Sequence, residues 1–231
     1  MNTVEGNTWL ALIALIAYLV GSFPTAYFVT KGMVGKDIRL EGSHNVGGMN
    51  AYSLIRSKRS EKRAALGLIT ILLGDMGKGV LAIYLARWLS FLGYNPSLAL
   101  LTASFFVILG HNYPFCFKFK EGGIGFASFL GVLLALNPLS LGVWGGTMLF
   151  CIFAAEHILI GRWRPNSLRK IISVIGTQIP GRLIGLGVSL VPIYFFNVHR
   201  LFPVLGPTIL VYIKHAGKIR ALIRESRHPQ Q

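Results

Sequence analysis

Apolar runs long enough to cross a bilayer recur along this chain, and they constrain its fold more than any other feature. The first, Thr8–Val29, carries no charged side chain, and further runs lie at Ala64–Leu89, Pro96–Leu109, Gly125–Leu136 and Leu141–Ile160. A helix needs about 20 apolar residues to cross the hydrocarbon core, where backbone polar groups must bond within their own segment. The stretch Ile171–Tyr212 has room for two more spans, interrupted at Pro180-Gly181-Arg182 and at Asn197–Arg200. The expectation is an all-α, polytopic transmembrane bundle of about seven spans, built as one integral-membrane domain over residues 1–231. Composition agrees: 53% of residues are hydrophobic and only 13% charged, a balance that a water-soluble domain would struggle to expose. Thr8–Val29 is too long for a signal-peptide core and has no basic segment before it, so it is expected to remain as the first span.

The 23 Lys and Arg against 8 Asp and Glu give a formal charge of +15, but these cations fall in short tracts between apolar runs. That placement fits anionic lipid headgroups rather than nucleic acid. The first tract holds Lys31, Lys36, Arg39, Arg56, Lys58, Arg59, Lys62 and Arg63. Later tracts hold Lys118 and Lys120, then Arg162, Arg164, Arg169 and Lys170, then the tail from Lys214. Short loops rich in Lys and Arg stay in the cytoplasm, so seven spans put every tract inside, the N-terminus outside and the C-terminus cytoplasmic. The location implied is a cell (inner) membrane, crossed several times. Cys116 and Cys151 lie in apolar surroundings without ligand-like spacing, so neither a disulfide framework nor a metal site is expected.

Four segments carry candidate chemistry. The first runs from Lys36 through Asp37-Ile38-Arg39 to Gly42-Ser43-His44-Asn45-Val46-Gly47-Gly48-Met49-Asn50. Its glycines let backbone N–H groups converge on an anion, and its hydroxyl and amides can orient one; the plainer reading is a flexible basic loop that only fixes topology. The second, Gly74-Asp75-Met76-Gly77-Lys78-Gly79, puts a carboxylate and an ammonium on one helical face inside an apolar span. Ionisable groups at that depth normally face a partner or a watery cavity, although a pair that only neutralises itself would read the same.

The third segment is Gly110-His111-Asn112-Tyr113-Pro114, followed by Lys118-Phe119-Lys120-Glu121-Gly122-Gly123-Ile124-Gly125 just before an apolar helix. Glycines opening a helix offer free N–H donors and the positive end of its dipole, a site suited to phosphate. His111 by itself reads equally as a hydrogen-bonded structural histidine. The fourth, Lys214-His215-Ala216-Gly217-Lys218-Ile219-Arg220, is a basic amphipathic stretch suited to a headgroup surface. It puts His215 and Lys218 on one helical face, within reach of a cytoplasmic site.

In this order and on this hydropathy profile, the segments resemble the bacterial acyl-phosphate-dependent glycerol-3-phosphate acyltransferases over nearly the whole chain. The family pattern G-S-G-N-I-G-A-T-N after D-I-R is similar to Asp37-Ile38-Arg39 with Gly42–Asn50. Its D-x-x-K-G is similar to Asp75, Lys78 and Gly79; its G-H-x-F-P and glycine loop are similar to Gly110–Pro114 and Phe119–Ser128. Its closing H-x-x-N-I meets His215 and Ile219. Departures fall on groups that would hold anions: Met49 replaces a threonine, Ser53 an arginine, Ile124 a lysine and Lys218 an asparagine. Stand-ins lie nearby in Lys118 or Lys120, in Arg56, and in Lys218 itself.

The resemblance implies acyl transfer from acyl phosphate to the 1-hydroxyl of glycerol 3-phosphate, giving lysophosphatidic acid without metal or cofactor. Such chemistry needs orientation and anion stabilisation. It assigns catalysis to Ser43, Asn45, Lys78, His111 and His215. Substrate binding falls to Arg39, Asn50, Arg56, Asp75, Lys118, Lys120, Gly122, Gly123, Gly125 and Lys218. The hydroxyl proton has three candidate acceptors, namely His215, His111 and the substrate's own phosphate. Ser43 reads as a phosphate ligand rather than a nucleophile, since no base stands beside it in sequence. Two other functions fit parts of the pattern: a transporter or flippase for an anionic metabolite, and a non-catalytic lipid-binding relative.

Overall fold

The structure, a computed structural model, describes residues 3–91, 95–120, 122–161, 167–196 and 201–227, with the backbone alone for 3–7, 160, 168, 196 and 217–227. Among these residues all regular structure is helical. In chain order the helices are α1 (Thr3–Gly21), α2 (Thr25–Val34), α3 (Gly48–Lys58), α4 (Glu61–Ser90), α5 (Pro96–Asn112) and α6 (Phe126–Leu136), then α7 (Pro138–Ile160), α8 (Leu168–Thr177), α9 (Ile179–Val188), α10 (Leu190–Phe196) and α11 (Leu201–Arg227). Four stretches are long and apolar enough to cross a membrane: Thr8–Val34, Glu61–Ser90, Pro96–Phe117 and Pro138–Leu159. A fifth arises if the pair Arg169–Thr177 and Ile179–Phe195, bent by 69°, counts as one span; Phe126–Leu136 and Leu201–Ala216 are shorter apolar helices.

The chain forms two compact units, residues 1–136 and 137–231. In the first, α1 packs on α5 and α4 packs on α6, with α2 and α3 against α4. Small residues set the α4–α6 distance. A methyl on Gly79 would run into the Ser128 carbonyl, and one on Gly131 into the Met76 carbonyl, so only glycine lets these two backbones approach so closely. In the second unit α7 packs on α9, with α8, α10 and α11 completing it.

Local chemistry places the helix ends. Asn95 and Asn137 cap α5 and α7, each accepting a backbone N–H within the first turn and each followed by a proline at the first helical position. Ser60 accepts from Arg63 N at 3.3 Å to start α4, and Ser167 from Lys170 N at 3.3 Å to start α8.

Two departures from the sequence expectation matter. The first apolar run is not one continuous helix, because Pro24 has no N–H to carry the ladder on and the chain turns at Ser22-Phe23 before α2 resumes to Val34. The first basic segment therefore begins inside a helix, with Lys31 in α2. The region after Ile171 holds four helical pieces, broken at Gln178, where Arg182 donates to the carbonyls of Gln178 (3.1 Å) and Gly176 (3.0 Å). Buried Gln178 also donates to buried Glu156 at 2.8 Å. Arg162, Arg164, Asn197–Arg200 and Glu121 lie outside the described residues, as does the side chain of Lys218.

Candidate active site

The first unit brings three of the four sequence segments to one place. In α4, Lys78 Nζ donates to Asp75 Oδ1 at 2.5 Å, and both side chains are almost wholly buried. His111, near the end of α5, points its Nδ1 at Ser128 Oγ (3.2 Å) and stands 3.9 Å from Asp75 Oδ1. Buried charge of this kind persists only when paired and hydrogen-bonded, and here ammonium, carboxylate and imidazole supply each other's partners.

The glycine loop lies over this cluster. A methyl on Gly123 would strike His111 Nε2 and stand 2.7 Å from the Val46 carbonyl, and a methyl on Gly122 would strike the Asn112 carbonyl. These two glycines therefore let the loop thread between the end of α5 and the first loop. Gly125, at φ +88°, turns the backbone into α6 in a conformation that favours glycine. With its amide nitrogen facing the carbonyls, as its neighbours require, Asn112 donates to Ile108 O (3.2 Å) and Ile124 O (3.0 Å) and pins the turn.

Together these elements border a narrow cleft, lined among others by Ser22, Thr25, Val46, Lys78, His111 and Gly123. The break between α1 and α2 forms one side of it. Pro114 and Phe117, from the segment after α5, complete its wall.

The first loop is ordered by one side chain. Asn50, at the start of α3, accepts from Ser43 N–H at 3.1 Å and donates to the carbonyls of Ile38 (3.3 Å), Glu41 (3.0 Å) and Asn45 (3.1 Å). Its amide is thus directed at the loop backbone, which favours a role in shaping the loop. Arg39 pairs with Asp37, Nη2 to Oδ2 at 2.6 Å and Nε to Oδ1 at 3.0 Å, and lies 4.6 Å over the Phe117 ring beside the cleft. This guanidinium holds the Asp37 carboxyl below the usual carboxylate range. His44, at φ +56°, directs Nδ1 to the Arg39 carbonyl at 2.9 Å. Since a carbonyl only accepts, that nitrogen carries the proton.

Other sequence candidates stand farther out. Ser43 is exposed and Asn45 half-buried beside Val46, at the rim rather than in the wall. Arg56 lies 5.9 Å over the ring of Tyr52, whose hydroxyl donates to Glu61; that carboxylate pushes the phenol above its ordinary value. Lys118 and Lys120 are exposed. His215, in the second unit, is buried with Nδ1 2.9 Å from the Val211 carbonyl. Sequence reasoning missed Ser22, Thr25 and Val46 in the cleft wall and Ser128 beside His111. Pro24 was the available signal for the first pair, and Ser128 closes the glycine-loop motif.

A multi-pass helical membrane protein with a buried cation, a histidine and a glycine loop around one cleft is the class these features define. The sequence profile described as Glycerol-3-phosphate acyltransferase matches residues 11–225. A glycerol-3-phosphate acyltransferase of Anaplasma phagocytophilum is 34% identical over 213 residues, covering 92% of this chain and 94% of its own. One from Clostridioides difficile is 34% identical over 216 residues, covering 92% and 91%. The chain belongs to the glycerol-3-phosphate acyltransferase family. Its fold also matches a crystal structure of PlsY (YgiH), an integral membrane glycerol 3-phosphate acyltransferase in its glycerol 3-phosphate form, with a TM-score of 0.66, 21% identity, and 93% and 92% of the two chains covered.

Proposed function

We propose that this protein transfers an acyl group from acyl phosphate to the 1-hydroxyl of glycerol 3-phosphate, forming lysophosphatidic acid and releasing inorganic phosphate. The observation that carries the reading is the meeting of Lys78, His111 and the Gly122-Gly123 loop at one cleft, in a chain that matches the family from residue 11 to 225. Bond making needs two anionic substrates held together and negative charge stabilised as the acyl carbonyl is attacked. A buried ammonium at Lys78, fixed by Asp75, and the N–H groups that open α6 suit that task.

In this reading Arg39 and the rim residues Ser43 and Asn45 draw the phosphates in, and Asn50 holds the loop that presents them. Arg56, Lys118 and Lys120 are kept as outer substrate contacts, while the catalytic role of His215 and the binding role of Lys218 rest on the sequence pattern alone. The proton of the attacking hydroxyl has two acceptors at the cleft, His111 Nε2 and the phosphate of glycerol 3-phosphate. Ser128 and Asp75 both lie on the Nδ1 side of His111 and Gly123 lies on its Nε2 side, and in this reading Nε2 is the atom that faces the substrate.

The whole chain works here as one integral-membrane domain of seven spans in a cell (inner) membrane, with the N-terminus outside and the basic tracts and C-terminus in the cytoplasm. The count takes the four apolar helices of spanning length, the bent pair as a fifth span, and the shorter Phe126–Leu136 and Leu201–Ala216 as two more. The distribution of Lys and Arg supports the orientation. Purified protein given radiolabelled glycerol 3-phosphate and acyl phosphate in detergent should form labelled lysophosphatidic acid. Label accumulating only inside sealed vesicles, with no product, would establish a transporter instead.

A further inference from the structure

Two threonine hydroxyls, those of Thr25 and Thr30, are buried without a hydrogen-bond partner among the described residues. Both belong to α2, and both side chains are at least nine-tenths covered. A buried hydroxyl left unpaired is destabilising, and it asks for a partner wherever a ligand can come within reach. The two differ in one respect: Thr25 lines the cleft and Thr30 does not.

Thr25 is also held in place by its surroundings. Pro24 before it breaks the helix, and Thr25 N–H donates to the Phe23 carbonyl at 3.1 Å, fixing its backbone at the turn. Its methyl is turned toward Gly74, where an added Cβ would stand 2.6 Å from Cγ2. Gly74 directly precedes Asp75, so the residue that makes room for Thr25 sits on the helix that supplies the buried ion pair. A buried hydroxyl without a partner, on a residue that lines a cleft shared with Lys78 and His111, is a donor that a bound anion would satisfy.

We infer that the Thr25 hydroxyl is a substrate ligand, donating to a phosphoryl oxygen that Lys78 also attracts. The inference rests on the cleft being the acyl-transfer site. The phosphoryl group could belong to glycerol 3-phosphate or to acyl phosphate, and separate KM measurements for the two tell them apart. Hydroxyl-to-phosphate bonds are charge-assisted, which is why losing one donor shows in affinity more than in fold.

The test compares Thr25→Val, Thr25→Ser and Thr30→Val in the full-length protein. Valine keeps the shape and deletes a hydroxyl that has no partner in the fold, so both valine variants should melt at the wild-type temperature or above it. Thr25→Val should raise KM for one of the two substrates about tenfold, Thr25→Ser should stay within about threefold of wild type, and Thr30→Val should leave kinetics unchanged. If Thr25→Val and Thr30→Val behave alike, with kinetics unaltered in both, the inference is overturned. Should Thr25→Val fail to fold, Thr25→Ala set against Thr25→Ser makes the same comparison, since both lack the methyl and only one keeps the oxygen. Thermal shift by inorganic phosphate adds a readout independent of turnover. A wild-type protein without acyl transfer sinks the proposed function, whereas a phosphate shift lost on Thr25→Val and kept on Thr30→Val still supports Thr25 as a ligand.

Discussion

Lys78 Nζ donates to Asp75 Oδ1 across 2.5 Å, three residues apart on one face of α4, with His111 Nδ1 3.9 Å from the same carboxylate oxygen. The pair sits in an apolar span yet borders the cleft. A pair retained only to neutralise itself could be replaced by apolar residues at little or no loss of stability. Lys78→Ala is therefore expected to lower turnover by about 10²–10³, the scale of losing one preorganised charge stabiliser, while most of the protein still inserts and folds. Activity per folded molecule, with folding followed by size-exclusion chromatography, checks this. Equal loss of folded protein and activity would make the pair structural.

The α4–α6 contact predicts a stability effect with a different signature. A methyl at Gly79 would collide with the Ser128 carbonyl and come within 2.6 Å of Val132 N, both of them backbone that cannot move aside cheaply. Gly79→Ala should cost on the order of 1–3 kcal/mol or more from overpacking and lower the melting temperature in detergent. Because Ser128 partners His111, activity should fall with it. An unchanged melting temperature would mean the two helices are farther apart than described.

Much of this arrangement was legible in the sequence, for physical reasons. Spacing of three residues in a helix brings Asp75 and Lys78 to one face, and glycines ahead of an apolar run mark a loop feeding a helix start. The turn at Ser22-Phe23 was hidden because hydropathy runs through it unbroken and Pro24 alone marks it. Asn50 gave no sign from its identity that its amide would serve the carbonyls of residues 38, 41 and 45. His111 and Ser128 lie 17 positions apart, on α5 and α6, so their contact exists only in three dimensions. The break at Gln178, fixed by Glu156 and Arg182, is likewise a tertiary feature.

The first loop should show a defined acid limit. Arg39 holds the Asp37 carboxyl below its unfolded value of about 3.9, so the stability this pair gives is fully present above that pH and is lost as pH falls through the lower folded value. Hydrogen exchange across residues 37–50 should be protected equally at pH 8 and pH 5 and should quicken below about pH 4, allowing for the intrinsic rate. Asp37→Asn should abolish that acid step. A step near pH 6 surviving in Asp37→Asn would assign loop stability to another group.

Ile124 stands in the glycine loop where the family pattern has a lysine, while Lys118 and Lys120, a few residues before it, are exposed. A charge-assisted bond of roughly 1.5–3 kcal/mol from one of them would cover the deficit if that lysine binds the phosphate. Lys120→Ala, or Lys118→Ala if that residue is the stand-in, should raise KM for a phosphate substrate about tenfold, and adding Ile124→Lys should recover much of the loss. Steady-state kinetics of the single and double variants decide it. No effect from either lysine, with Ile124→Lys abolishing activity, would mean a pocket built for a less charged substrate.

The most direct test of the whole account is a single reconstitution: purified wild-type protein in detergent, acyl phosphate, and glycerol 3-phosphate labelled in the glycerol carbons, with products separated by thin-layer chromatography. The account predicts labelled lysophosphatidic acid formed in proportion to enzyme and inorganic phosphate released one for one, with no added metal or coenzyme A. It predicts the same product, at a rate lower by about two orders of magnitude or more, from Lys78→Ala. Wild-type protein that is folded yet forms no labelled lipid, or that forms it at the rate of Lys78→Ala, would contradict the central claim that this cleft performs acyl transfer.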